Sequence, residues 1–149
     1  MAIGELSIRE VVIAPRETSV LEAAKLMRQH HVGDIVVTDE AGGRCVPVGI
    51  VTDRDIVLEV LAQELDAASL SVGDIMTGDL ITVKESEGVF RTIQLMRAKG
   101  ARRAPVVDSE GALAGIVSVD DLVELLVDEL SELAKLISRE QKREAEIRR

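Results

Sequence analysis

The chain has 149 residues, 46% hydrophobic and 30% charged, which is enough aliphatic material for a core of ordinary domain size. A net charge of −9 and a single aromatic side chain, Phe90, disfavour a polyanion held by a basic field or by stacking, so neither nucleic acid nor an anionic membrane is the expected partner. With one cysteine, Cys45, no intrachain disulfide or Cys-based zinc cluster can form, and no apolar run approaches the roughly 18 residues of a membrane span, so a reducing, cytoplasmic setting is expected.

Taken in chain order, residues 11–14 form a short apolar, β-branched run ended by Pro15, a strand pattern. Ser19 stands three residues before Glu22, a capping-box spacing, and Val20, Ala23, Ala24, Met27 and His31 then recur at helical steps. Residues 34–38 and 46–51 read as a second and third strand close enough for a hairpin, with Cys45 beside its Gly42-Gly43 turn, and Thr52 opens a second helix. Residues 62–70 read as a helix end and a short crossing linker.

The same order then returns. Residues 80–83 form a strand, Val89, Ile93 and Met96 mark a helix, residues 103–107 and 113–117 form two strands, and Ser118 opens a final helix. Leu26-Met27-Arg28 recurs as Leu95-Met96-Arg97 at a spacing of 69, and Gly49-Ile50-Val51-Thr52-Asp53-Arg54-Asp55 as Gly115-Ile116-Val117-Ser118-Val119-Asp120-Asp121 at 66. The difference implies a three-residue insertion near Gly43 to Cys45. Alignment of Leu6 with Leu70 implies, in addition, that repeat one lacks five residues matching 75–79. Two copies of about 60 residues each are too small to be robust alone, so they are expected to pack against each other. The expected divisions are 1–64, 65–127 and a C-terminal helical extension at 128–149, along which Leu122, Leu126, Leu130, Leu133 and Ile137 form an apolar stripe that needs a partner surface, a second chain being favoured over its own repeat.

The chemically loaded segments are the two turns that deliver Thr52 and Asp55, or Ser118 and Asp121, to a helix start, where free backbone N–H groups favour an anion. The same spacing also describes a helix cap with no ligand. Arg102 and Arg103 invite two readings as well, contact with a ligand or pairing with surface carboxylates. His30 and His31, adjacent on a helix and about 100° apart, cannot chelate a metal together. No serine, cysteine or zinc hydrolase set and no phosphate-binding Gly-Lys loop is present, so no catalytic residue and no metal site is assigned.

Gly-Ile-Val-Thr-Asp-Arg-Asp at 49–55, Gly-Ile-Val-Ser-Val-Asp-Asp at 115–121 and Arg-Arg-Ala-Pro-Val-Val-Asp at 102–108 together make the chain resemble a tandem pair of cystathionine β-synthase (CBS) domains, a Bateman module, over residues 6–127. The resemblance implies an α+β fold of two β-α-β-β-α repeats packed by pseudo-twofold symmetry through their sheets, followed here by the extended helix. It implies a noncatalytic regulatory module, commonly homodimeric, that binds an adenosyl ligand (AMP, ADP, ATP, NAD or S-adenosylmethionine) and signals to an unidentified effector; a ligand-free dimerisation or adaptor unit is the alternative. Carried over by position, one cleft would use Ser118, Asp120, Asp121 and Arg103 with Val12, Ile13, Val32 and Gly33, and the other Thr52, Arg54 and Asp55 with Ile81, Thr82, Ala101 and Arg102. Because Asp34 replaces Arg103 in repeat one, phosphate is expected to bind tighter in the Ser118 cleft.

Overall fold

A computed structural model describes residues 1–148. Residues 1–117 form one compact unit, and the chain from Ser118 onward forms a second. The first unit opens with the short helix α1 (Ile3–Leu6), then β1 (Ile13–Pro15), α2 (Val20–His30), β2 (Asp34–Ala41), β3 (Arg44–Thr52) and α3 (Asp53–Ile56), which continues as a π-helical turn over Val57–Leu61. Repeat two follows with α4 (Val72–Ile75), β4 (Val83–Lys84), α5 (Val89–Lys99), β5 (Arg103–Val107) and β6 (Leu113–Ser118), and α6 (Val119–Ile147) forms nearly all of the second unit.

Each repeat builds a three-stranded sheet, ordered β1-β2-β3 and β4-β5-β6, in which the first strand runs parallel to the second. That parallel step requires a crossover, which α2 and α5 supply. In repeat one β2 and β3 are antiparallel and joined by Gly42-Gly43, both at positive φ, the requirement of the tight two-residue hairpin turn. The three extra residues of repeat one lengthen this hairpin to strands of eight and nine residues, against five and six in repeat two. The first strands begin later than expected, at Ile13 and Val83, because only the residues facing β2 and β5 enter the ladder.

The five-residue gap expected at the start of repeat one does not exist. Ile3-Gly4-Glu5-Leu6 folds as α1 and Val72-Gly73-Asp74-Ile75 as α4, so the spacing of 69 extends to the beginning of the chain. The alignment of Leu6 with Leu70 matched one leucine and missed a short helix that packs on the other repeat. Ile3 N–H donates to Glu87 O at 2.7 Å and Gly4 N–H to Glu85 O at 2.9 Å; 69 residues on, Val72 N–H donates to Thr18 O at 2.8 Å and Gly73 N–H to Arg16 O at 3.0 Å. Beyond the helices, Ile8 exchanges hydrogen bonds with Ile116, and Thr77 N–H donates to Ile50 O.

The repeats therefore exchange their opening segments. The core of repeat one, made by Ala14, Ala23, Met27, Ile35, Val37 and Val51, is completed by Val72, with Ile75 and Met76 packed against it. Fully buried Ile3 belongs to the reciprocal exchange. Since each copy supplies apolar surface and backbone partners that the other lacks, burial is gained only when both are folded, which makes residues 1–117 a single unit.

Candidate functional site

The turns singled out in the sequence are closed capping boxes. Thr52 Oγ1 accepts the Asp55 N–H at 3.1 Å and Asp55 Oδ2 accepts the Thr52 N–H at 2.9 Å. In α6, Ser118 Oγ and Asp121 Oδ2 repeat the exchange at 3.2 and 2.9 Å, with Asp120 in the same first turn. A third box, Ser71 with Asp74, starts α4. Extended backbone at Thr52, with φ −109° and ψ 162°, ends β3 and leaves the hydroxyl facing the next turn, which is why a strand ending in Thr opens a helix here.

Beside the Thr52 box lies a cavity of 480 Å³ walled by both repeats. Repeat one contributes Ile50, Thr52, Asp53 and Arg54, and repeat two contributes Leu80 and Ile81 as the apolar wall together with the end of α5 and the start of β5. Four cationic side chains converge on it, Arg54, Lys99, Arg102 and Arg103, against Asp53 and Asp79. Lys99 Nζ is 3.0 Å from both carboxylate oxygens of Asp79. Arg103 Nε is 2.5 Å from Asp34 Oδ2, an ion pair joining β5 of one repeat to β2 of the other. Burial raises the pKa of Asp34 above its ordinary value, the Arg103 charge opposes that shift, and the nearby Asp53 carboxylate adds to it.

A second cavity, of 590 Å³, is lined by Arg9, Glu10, Val11, Val12, Ile13, Leu26, His30 and Val32. Its wall is the repeat-one counterpart of the first: Glu10, Val11, Val12, His30 and Val32 stand 69 residues before Asp79, Leu80, Ile81, Lys99 and Ala101. The charges do not match. At the same spacing Lys99, Arg102 and Arg103 become His30, Gly33 and Asp34, of which only His30 lines the second cavity, and Arg9, where repeat two has Gly78, is its one lysine or arginine against four in the first.

Of the residues expected from sequence, Thr52, Arg54, Ile81, Ala101, Arg102 and Arg103 meet in the first cavity, and Val12, Ile13 and Val32 in the second. Asp55 lines a separate groove with Glu59 and Asp74, and Thr82 lies outside the cavity wall. Gly33 accepts the Asp53 N–H at 2.9 Å, beside the first turn of α3. Arg103, expected in the Ser118 cleft, lines the Thr52 cavity and forms its ion pair with Asp34 of repeat one. Sequence reasoning missed Asp53, which lies within the 49–55 motif, and Thr77, Asp79 and Lys99, which no motif marks and which the fold brings to the cavity wall. Among the described residues no group of three or more His, Cys, Asp or Glu converges to hold a metal, and no helix is long and apolar enough to cross a membrane.

The family model described as "CBS domain" matches residues 3–62 and 72–128. An uncharacterised protein of Methanopyrus kandleri is 38% identical over 126 residues, 84% of this chain, which spans 62% of that relative's length. Among solved structures, the CBS domain pair of protein MJ0100 in complex with 5′-methylthioadenosine and S-adenosyl-L-methionine has a TM-score of 0.74 and 29% identity, covering 87% of this chain and 98% of that one. The CBS domain protein PAE2072 of Pyrobaculum aerophilum, complexed with AMP, has a TM-score of 0.72 and 30% identity, covering 81% and 89%. Two matched repeats, their reciprocal exchange of opening helices and these likenesses place the chain in the CBS domain family, as a tandem CBS pair.

Proposed function

We propose that the chain is a noncatalytic regulatory module that binds an adenosyl ligand bearing phosphate in the Thr52 cavity and signals occupancy to an effector protein. The observation that carries this reading is a cavity of 480 Å³ between the repeats, with an apolar wall at Leu80 and Ile81 and four cationic side chains around it. Its volume falls within the usual range for small-molecule sites, and the low dielectric of a concave wall strengthens attraction to an anion. Ile81 and Ala101 would flank the base, the Thr52 hydroxyl and Arg54 would meet ribose or phosphate, and Arg102 and Arg103 would face phosphate. That two similar CBS pairs are complexed with AMP, or with methylthioadenosine and S-adenosylmethionine, supports the adenosyl class.

Ligand phosphate and Asp34 would compete for Arg103. Occupancy therefore weakens a link between the repeats, which is the proposed step from binding to signal. Asp55 acts indirectly, by holding the Thr52 turn. The second cavity, poorer in cations on its repeat-one wall, favours a less anionic ligand.

Thermal unfolding with AMP, ADP, ATP, NAD and S-adenosylmethionine tests this proposal. A binding ligand at a hundred times its Kd stabilises the native state by about 2.7 kcal/mol. The rise in Tm is expected to fall away in the Arg102→Ala, Arg103→Ala double variant, whose lost charged contacts weaken binding at least tenfold. No stabilisation by any of the five would leave the second reading, an adaptor with empty clefts, which the self-contained Thr52–Asp55 and Ser118–Asp121 boxes favour.

A further inference from the structure

We infer, resting on the ligand reading above, that an anion bound in the Thr52 cavity drives Asp34 to take up a proton. Asp34 opens β2, opposite Thr52 of β3. Its side chain is only 21% exposed and does not line the cavity; Arg103, from β5 of the other repeat, both lines the cavity and pairs with it. Burial favours the neutral acid, the Arg103 charge opposes that, and Asp53, in the first turn of α3, reinforces it. A single arginine thus favours the ionised form of a mostly buried carboxylate, against burial and a second carboxylate. Neither carboxylate recurs in repeat two, where the equivalent positions hold Arg103 and Val119, so the arrangement belongs to one cavity.

A phosphate in the cavity shifts this balance in one direction. It adds negative charge beside Arg103, which disfavours a charge on Asp34 whether or not the guanidinium turns toward the ligand. Where Arg103 does turn, Asp34 also loses its partner, and a carboxylate at this burial then neutralises itself by binding a proton. Of the other wall cations, Lys99 is already held by Asp79, while Arg54 and Arg102 offset part of the phosphate charge without reversing the sign. The complex therefore carries more protons than the free protein, and affinity rises as pH falls through the Asp34 pKa of the complex. The proton acts as a second ligand of the same site.

Calorimetric titration of the full chain with AMP, in paired buffers of different ionisation enthalpy, counts the protons exchanged on binding. The wild type should take up more protons per AMP than Asp34→Asn or Asp34→Ser, neither of which has a carboxylate at this position. Any proton exchanged by the phosphate itself, or by the imidazoles of His30 and His31 at the end of α2, is common to all three proteins and cancels in the difference. At about pH 8 the Asp34→Asn variant should bind AMP roughly tenfold more tightly than the wild type, since its amide stands in for the neutral acid, and the ratio should shrink as pH falls. AMP that binds with equal proton counts in wild type and variants, or with a ratio that does not change with pH, overturns the inference and leaves the ligand reading standing. AMP that binds to none of the three overturns the inference too, and failure of all five ligands in thermal unfolding removes the ligand reading with it.

Discussion

Repeat one ends its first long helix on His31, and repeat two ends the equivalent helix, 69 residues later, on Gly100. Both residues are left-handed, with φ of 54° and 64°, and the next residue closes the same bond, Val32 N–H to Met27 O and Ala101 N–H to Met96 O. Glycine adopts that conformation without strain, while a side chain there costs about 1 kcal/mol. Helix starts show the reverse: Ser19 caps α2 through its hydroxyl, and Gly88 gives α5 no side-chain cap. Each repeat thus has the better end where the other has the worse. One backbone plan tolerates either choice because the exchanged opening segments hold both copies in place.

The sharpest way to separate the repeats is to add one methyl group. A Cβ at Gly115 would lie 2.8 Å from the Ile8 carbonyl oxygen and 2.8 Å from Ser7 Oγ, whereas one at Gly49 would meet only the Met76 side chain. Backbone cannot move aside and a methionine can. Gly115→Ala is expected to cost about 2–3 kcal/mol and Gly49→Ala about 1 kcal/mol by denaturant unfolding. Equal costs would mean that the two exchanged segments are equally pliant.

Next in size, Gly100→Ala should destabilise by about 1 kcal/mol, and His31→Gly should stabilise by up to the same amount, read as opposite shifts in midpoint. At the helix starts, Ser19→Ala should cost about 1 kcal/mol, while Gly88→Ser, whose added Cβ meets nothing within 4 Å, should gain a few tenths. A Gly88→Ser variant no more stable than wild type would show that α5 obtains its order from packing alone.

The smallest effect concerns Asp34, a carboxylate standing where repeat two has Arg103. Its folded-state pKa lies above the ordinary value, so its contribution to stability is full below the unfolded pKa and is lost as pH rises through the folded one. Unfolding followed upward from about pH 4 should show that loss in the wild type and a flatter profile in Asp34→Asn. Identical profiles would mean that the Arg103 partner fully offsets burial.

Much of the fold was legible without coordinates. Apolar periodicity located α2 and α5, the β-branched runs located β2 and β5, and Thr52, Ser118 and Ser19 marked helix starts, because these signals act within a few residues of chain. The opening helices were not legible as partners: four residues of α1 have too little pattern of their own, and what defines them is the Glu85 and Glu87 carbonyls of the other repeat. The site divided in the same way. Thr52, Arg54, Arg102 and Ile81 were expected there by carrying the CBS resemblance over position by position, but Lys99 and Asp79 enter the cavity wall through tertiary proximity.

Local order, duplication and chemistry were thus written in the chain: two copies of one plan, each ending a strand in a hydroxyl and starting a helix with a carboxylate three residues on. Only the tertiary structure decided that the copies exchange their first helices and that Arg103 joins Asp34 at the Thr52 cavity. The physical reason is range. Capping and periodicity are fixed by neighbours in sequence, whereas the reach of an arginine and the destination of an unpaired backbone N–H depend on which distant surface comes within about 3 Å.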